Sequence, residues 1–159
     1  MIRITLIALG KLKEKYLSEA VKEYSKRLSA YCKLEMIELE PIRLSDKPSD
    51  AEILNVLEKE SELILKKIPQ GSEVITLCVE GKSFSSPEFA SKIESFENMG
   101  KSITFIIGSS YGLSEKIKKM SRVRLSLSKM TFPHQLFRVM LLEQIYRAFK
   151  INEGSAYHK

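Results

Sequence analysis

Five apolar runs that alternate with amphipathic patterns limit most strongly how this chain can fold. The runs predicted as strands are residues 2–9, 34–39, 74–79, 103–107 and 123–128. The patterns predicted as helices cover about residues 13–29, 50–67, 87–99, 114–120 and 133–151. Because strands that alternate with helices form βαβ units, we predict an α/β fold, a mostly parallel sheet of about five strands with helices on both faces.

Length and hydropathy indicate one globular unit. The chain has 159 residues, of which 43% are hydrophobic, and this fits a single domain over residues 1–159 with one core. No run approaches the roughly 20 apolar residues that a membrane helix needs. The first ten residues lack a basic stretch followed by a small-residue cleavage site, so they resemble a strand and not a signal peptide. We therefore expect a soluble, cytoplasmic protein without membrane contact.

Several common chemistries lack their motifs in this chain. Cys32 and Cys78 have neither the density of a disulfide framework nor the spacing of metal ligands, and His134 and His158 have no carboxylate or thiol at ligand spacing. We expect no metal. The patterns GxxxxGK[ST], GxGxxG after the first strand, and GxSxG are all absent, which disfavours a P-loop, a dinucleotide site and a serine hydrolase. A bound cofactor and substrate positioning remain as sources of chemistry.

Basic residues concentrate in the last third of the chain. Residues 101–159 carry 11 Lys and Arg against 3 Asp and Glu, whereas residues 1–100 carry 15 and 17. Such asymmetry favours a polyanionic partner, usually nucleic acid, although a solubilising surface explains the composition alone equally well. Lys129, Arg138 and Arg147 lie in the loop after the fifth predicted strand and in the last predicted helix, and this clustering favours the polyanionic partner.

The ends of the last three predicted strands carry the candidate site. Gly81 follows the third strand and Gly108 the fourth; glycine permits a sharp turn and close ligand approach, although Gly81 is also explained as a turn residue. A polar loop after the fifth strand leads to Pro133, a residue typical of the first turn of a helix. Because open α/β sheets bind ligands at the carboxyl ends of their strands, we predict one crevice here.

Four segments together resemble a known family. They are Ile-Gly-Ser-Ser-Tyr-Gly-Leu-Ser from residue 107, Leu-Ser-Leu-Ser-Lys-Met-Thr-Phe-Pro-His-Gln from residue 125, Glu-Gln-Ile-Tyr-Arg-Ala-Phe-Lys from residue 143, and the terminal Ala-Tyr-His-Lys. These are similar to the ribosomal RNA large subunit methyltransferase H family, a SPOUT class that methylates N3 of a pseudouridine. The segment Ala-Leu-Gly-Lys-Leu-Lys from residue 8 extends the resemblance to the whole chain. One departure is Ser109, where the family usually has a second glycine after Gly108.

The resemblance implies a specific site, substrate and assembly. It implies S-adenosyl-L-methionine as cofactor, a C-terminal trefoil knot (the α/β-knot fold), a homodimer, and as substrate a pseudouridine of helix 69 in 23S ribosomal RNA, met on the assembled ribosome. The cofactor contacts carried over are Leu77, Gly108, Leu127, Ser128, Lys129, Met130, Thr131 and Phe132. The alternative is a non-catalytic RNA-binding or ribosome-associated factor that uses the basic C-terminal part.

Four residues are candidates for handling the acceptor base: His134, Arg138, Tyr157 and His158. A neutral imidazole can accept the imide proton and cations can stabilise the resulting anion, whereas Tyr157 with His158 suits stacking on RNA. Each has a plainer explanation: His134 as a cap, Arg138 as a phosphate or interface partner, the tail as a frayed end. The helix predicted over residues 133–151 is apolar around most of its circumference, which favours burial against a second subunit over burial within one.

Overall fold

The computed structural model describes all 159 residues of the protein. Strands and helices alternate along the whole chain, as predicted. Their order is β1 (Ile2–Leu9), α1 (Lys15–Leu28), β2 (Cys32–Leu39), α2 (Asp50–Leu65), β3 (Glu73–Ser83), α3 (Ser86–Asn98), β4 (Ile103–Ile107), α4 (Glu115–Met120), β5 (Val123–Ser126) and α5 (His134–Asn152).

One sheet with strand order β2-β1-β4-β3-β5 contains all five strands, and every neighbouring pair is parallel. The predicted α/β class is therefore confirmed, and β3, β4 and β5 are neighbours as the site prediction requires. The trefoil knot that the resemblance implies stays a prediction.

Strand β3 departs from its predicted length. It continues to Ser83, past the predicted end at residue 79, because it pairs with β5 twice: Leu125 is in register first with Leu77 and again with Lys82. The residues between Leu77 and Lys82 form a bulge, which bends the strand locally. Because the bulge contains polar residues and interrupts the apolar run, the sequence alone predicts that the strand ends there.

Both faces of the sheet are buried, and β1 shows why. Its residues alternate between two apolar clusters, with Ile4 and Leu6 in the larger and Ile7 and Leu9 in the smaller. The larger cluster lies under α1, α3 and α5, and the smaller under α2 and α4. Because both faces of the strand are covered, its sequence is almost continuously apolar and does not alternate with polar residues.

Helix α5 is buried partly by its own chain. It contacts α1 and α3, and Leu141, Leu142, Ile145 and Phe149 are buried in the larger cluster. Val139 and Tyr146 are half-buried and pack against the same cluster. Leu136, Phe137 and Met140 are also half-buried but do not belong to this packing. Intramolecular packing thus accounts for one side of this apolar helix and leaves the other available. None of the helices combines the length and hydropathy needed to cross a membrane.

Candidate functional site

A cavity of about 690 Å³ opens at the carboxyl ends of β3, β4 and β5. This volume lies within the range of sites that enclose small molecules and cofactors. Its walls come from the end of β3, the β4–α4 loop, α4, the β5–α5 loop and the start of α5. The lining residues include Leu77, Glu80, Gly108, Lys118, Leu127, Ser128, Thr131, Phe132, His134 and Phe137. The three strand ends therefore form the single crevice that the sequence predicts.

Two glycines near the strand ends, Gly108 and Gly81, have main-chain atoms packed where a Cβ atom would stand. A Cβ atom at Gly108 would lie 2.3 Å from the carbonyl oxygen of Gly112, because the loop closes on itself through a hydrogen bond from Gly112 N to Ser109 O of 2.8 Å. A Cβ at Gly81 would lie 2.7 Å from the carbonyl oxygen of Arg124. Neither oxygen can rotate away as a side chain would, so both positions require glycine.

Ser109 stands where the family pattern has a second glycine, and its hydroxyl forms a hydrogen bond. Its Oγ donates to Oε1 of Glu60 over 3.3 Å, while Oε2 of Glu60 accepts from the main-chain N–H of Ile42 over 3.1 Å. Burial raises the pKa of Glu60, and these two donors oppose the rise. The serine thus ties the cavity loop to α2 and to the loop before it.

The β5–α5 loop offers unpaired main-chain donors. Between Ser128 and Phe132, only the N–H of Met130 has an acceptor within the chain, the Oγ of Ser128 at 2.9 Å. Of the predicted cofactor contacts, Leu77, Gly108, Leu127, Ser128, Thr131 and Phe132 line the cavity. Lys129 and Met130 do not line it and are exposed, so any contact with a ligand there would come from their backbone.

His134, the first residue of α5, lines the cavity. Its Nε2 would lie 3.6 Å from a Cβ at Gly10, so the ring packs over the end of β1. Burial and the nearby charges of Arg138 and Lys13 lower the pKa of the imidazole below its ordinary 6.5. His134 is therefore neutral at pH 7 and able to accept a proton.

Arg138 does not line the cavity and is buried, with only 1% of its side chain exposed. Its Nη1 donates to Oε2 of Glu38 over 2.6 Å and its Nη2 to the carbonyl oxygen of Gly10 over 3.0 Å. Its Nε has no partner. Arg138 therefore joins α5 to the ends of β1 and β2, next to His134, and in this position acts on a substrate only through its neighbours.

Glu38→Ala tests this buried contact. The change leaves the guanidinium charge of Arg138 without its carboxylate, so we expect a loss of about 3 kcal/mol in the free energy of unfolding, measured by urea denaturation. Glu35→Ala is the control, since Glu35 is an exposed residue of the same strand. A loss below about 1 kcal/mol would show that the pair acts as an ordinary surface ion pair.

The C-terminal tail lies apart from the cavity, on the middle of α5. The hydroxyl of Tyr157 donates to Oε2 of Glu143 over 2.9 Å, and Arg147 lies 3.2 Å from Nδ1 of His158. The guanidinium of Arg147 also stacks over the ring of Tyr157, 4.7 Å from its centre. Of the four candidates for base handling, the chain thus brings only His134 to the cavity wall; Tyr157 and His158 are held elsewhere.

Sequence reasoning missed several residues of this region. Glu38, Glu60 and Lys118 stand in segments predicted as ordinary strands and helices, and Glu80 directly follows the predicted end of the third strand at residue 79. Nothing in the spacing of these four residues marks them as site residues. Glu80 in β3 and Lys118 in α4 form an ion pair on the cavity wall, and this pair can be recognised only once the two elements are placed side by side. No group of three or more His, Cys, Asp or Glu side chains is arranged to hold a metal ion.

Comparisons with known proteins show what this chain is similar to. Residues 2–158 match the family model described as "Predicted SPOUT methyltransferase". A Ribosomal RNA large subunit methyltransferase H of Clostridium perfringens is 54% identical over 159 residues, with 99% of this chain and all of the relative covered. The protein of the same name from Acetivibrio thermocellus is 51% identical over the same span and coverage. Among solved structures, the SpoU methyltransferase AviRb of Streptomyces viridochromogenes, in complex with AdoMet, has a TM-score of 0.47 and 11% identity, with 97% of this chain and 59% of that chain covered.

The family model matches nearly the whole chain, and the chain forms a parallel sheet with a cavity at its carboxyl edge. This defines a methyltransferase of the SPOUT class. Sequence identities above 50% over the full length of two relatives narrow the class to one family. The chain belongs to the ribosomal RNA large subunit methyltransferase H family.

Proposed function

We propose that this protein uses S-adenosyl-L-methionine to methylate ribosomal RNA of the large subunit, at N3 of a pseudouridine in helix 69 on the assembled ribosome. The observation that carries the proposal is the cavity at the ends of β3, β4 and β5, with a neutral histidine in its wall. Full-length similarity to relatives named for large-subunit rRNA methylation supports the RNA substrate.

The cavity fits this cofactor in size and in its donor set. Its volume of about 690 Å³ suits a nucleoside with an attached amino acid, and half of its 20 lining residues are hydrophobic. Gly108 and the loop from Leu127 to Phe132 would hold the adenosine part, because the free N–H groups of that loop match the acceptor atoms of a purine. When bound, the cofactor supplies a methyl group that is already electrophilic on its sulfonium.

The residues of the chain then have to position the acceptor and remove its proton. N3 of a pseudouridine carries an imide proton, and His134 is neutral and lines the cavity. His134 is proposed as the proton acceptor. Arg138 is proposed to position it, through the contact of the guanidinium with the end of β1.

The pH dependence of methyl transfer tests the role of His134. Because the pKa of His134 is lowered, the neutral form persists to a lower pH than for an ordinary imidazole; activity should therefore fall only as the pH drops below 6.5. His134→Gln should remove this acid limb and reduce single-turnover rates about 100-fold, within the usual range for a general base. His158→Gln is the control and should keep the pH profile of the unmodified protein. If this variant and not His134→Gln loses the acid limb, the proton acceptor is His158 in the tail.

A homodimer is proposed from the half-buried side of α5. Leu136 and Met140 keep exposed surface after the helix has packed on α1 and α3. We expect light scattering after size exclusion to give twice the chain mass of 18.2 kDa. A stable monomer at micromolar concentration would contradict the proposal.

Mass spectrometry of ribosomal RNA tests the proposed function as a whole. In a strain that lacks this protein, one methyl group should be missing from a pseudouridine of the large-subunit RNA. Purified protein with S-adenosylmethionine should restore it on ribosomes. An unchanged methylation pattern, together with ribosome binding that does not depend on the cofactor, would favour the alternative of a non-catalytic ribosome-associated factor.

A further inference from the structure

An ion pair stands on the wall of the cavity, on residues that the methylation proposal does not use. The Nζ of Lys118 in α4 lies 2.5 Å from Oε1 of Glu80 in β3. Both residues line the cavity, and they are the only formally charged side chains among its 20 lining residues, since His134 is neutral. Apart from the imidazole of His134 and the thiol of Cys78, the other lining groups are apolar, hydroxyl-bearing or backbone.

The bulge in β3 explains why Glu80 is available. The residues between Leu77 and Lys82 leave the ladder with β5, and Cys78, Val79 and Glu80, which belong to this interval, line the cavity. Bulges commonly redirect side chains beside functional sites. Lys118 reaches the same wall from α4, with 16% of its side chain exposed against 57% for Glu80.

The pair keeps unused binding capacity. Only Oε1 of Glu80 meets Lys118, which leaves Oε2 without a side-chain partner. An ammonium has three donors, and Lys118 uses one for Glu80, while Glu115 at 3.8 Å lies beyond hydrogen-bond distance. Burial opposes the charge of Lys118, yet the hydrogen bond to Glu80 raises its pKa, and the same bond lowers the pKa of Glu80. Both groups are therefore ionised at neutral pH.

We propose that Lys118 and Glu80 bind the α-amino acid end of the cofactor, the ammonium of Lys118 on its carboxylate and the carboxylate of Glu80 on its ammonium. This inference rests on the proposed function, because it requires that S-adenosylmethionine occupies the cavity. A zwitterion needs one partner of each sign, and this pair is the one place in the cavity that provides both. Both residues can form these bonds while their mutual contact persists.

Position along the sheet supports the assignment. His134 packs over the end of β1, whereas Glu80 belongs to β3, and β4 lies between these two strands. Two strand spacings separate the ends by about 10 Å. The acceptor side and the amino-acid side of the cavity are therefore distinct, so the pair can hold the cofactor without obstructing the base.

Calorimetry with two ligands tests the proposal. S-adenosylhomocysteine carries the amino acid end, whereas 5′-methylthioadenosine shares the adenosine and the thioether but lacks that end. Lys118→Met and Glu80→Gln should each weaken S-adenosylhomocysteine about tenfold or more, the usual effect of losing a charge-assisted hydrogen bond. Binding of 5′-methylthioadenosine should stay within twofold of the unmodified protein. Lys119→Met, an exposed lysine of the same helix, should change neither affinity.

Three other results would overturn the inference in distinguishable ways. An equal loss for both ligands in Lys118→Met would show that the pair only holds α4 against β3. Unchanged affinity for both ligands in both variants would show that the amino acid end lies elsewhere. Failure of the unmodified protein to bind either ligand would overturn the cofactor proposal itself, and this inference with it.

Discussion

Gly108→Ala should abolish cofactor binding while the protein stays folded. The new methyl group would lie 2.3 Å from the carbonyl oxygen of Gly112, and this oxygen belongs to a loop closed by its own main-chain hydrogen bond. Relief requires the β4–α4 loop to move, and that loop forms one wall of the cavity. We expect the affinity for S-adenosylhomocysteine, measured by calorimetry, to fall at least 100-fold, with a loss of about 1–3 kcal/mol in stability from overpacking.

Gly100→Ala is the matched control for this experiment. Gly100 precedes β4 at the opposite end of the strand, has φ +67°, and leaves open space where a Cβ would stand. Alanine there strains the backbone and costs stability without touching the cavity. Cofactor affinity should therefore remain, which separates loss of the site from loss of stability. Binding by Gly108→Ala within threefold of the unmodified protein would contradict the proposed geometry.

Removal of residues 156–159 should abolish methyl transfer and leave cofactor affinity within about twofold. No residue of this segment lines the cavity, so the cofactor pocket stays intact. The segment carries Tyr157, His158 and Lys159, an aromatic ring, an imidazole and a cation suited to contact with an unstacked base and a phosphate. We propose that this tail engages the RNA, and we expect transfer to ribosomes to fall more than 100-fold in single-turnover assays.

Tyr157→Phe is a milder companion to the truncation. It removes only the hydrogen bond of 2.9 Å to Glu143 and keeps the ring that stacks under Arg147. We expect partial activity from this variant. Joint loss of cofactor affinity and transfer in the truncated protein would assign the tail a structural role, and full transfer would show that RNA does not need it.

The elements of the fold were largely predictable because their causes are local. Strand β1 and strand β4 have the predicted bounds, since both are continuous apolar runs buried on two faces. Helices α2 and α3 begin with capping boxes at Ser49 and Ser85. In each, the serine side chain accepts a hydrogen bond from the backbone N–H three residues later, and the glutamate at that position accepts one from the backbone N–H of the serine. Local signals of this kind do not depend on what the rest of the chain does.

The features that the sequence did not predict depend on partners distant in the chain. Strand β3 extends to Ser83 because β5 pairs with it again beyond the bulge, and no residue of β3 records where β5 will lie. The contact of Arg138 with Glu38 joins residues 100 positions apart. An arginine in a helix looks the same in sequence whether it faces solvent or is buried on a carboxylate.

By itself, the sequence determined an alternating α/β chain, a parallel sheet, and a crevice at the ends of its last three strands, because periodicity and glycine placement act over a few residues. Only the tertiary structure decided that Arg138 is buried on Glu38, that the tail rests on α5, and that Glu80 meets Lys118 on the cavity wall. The physical reason is that a charge finds its partner through packing between elements, which residue spacing does not encode.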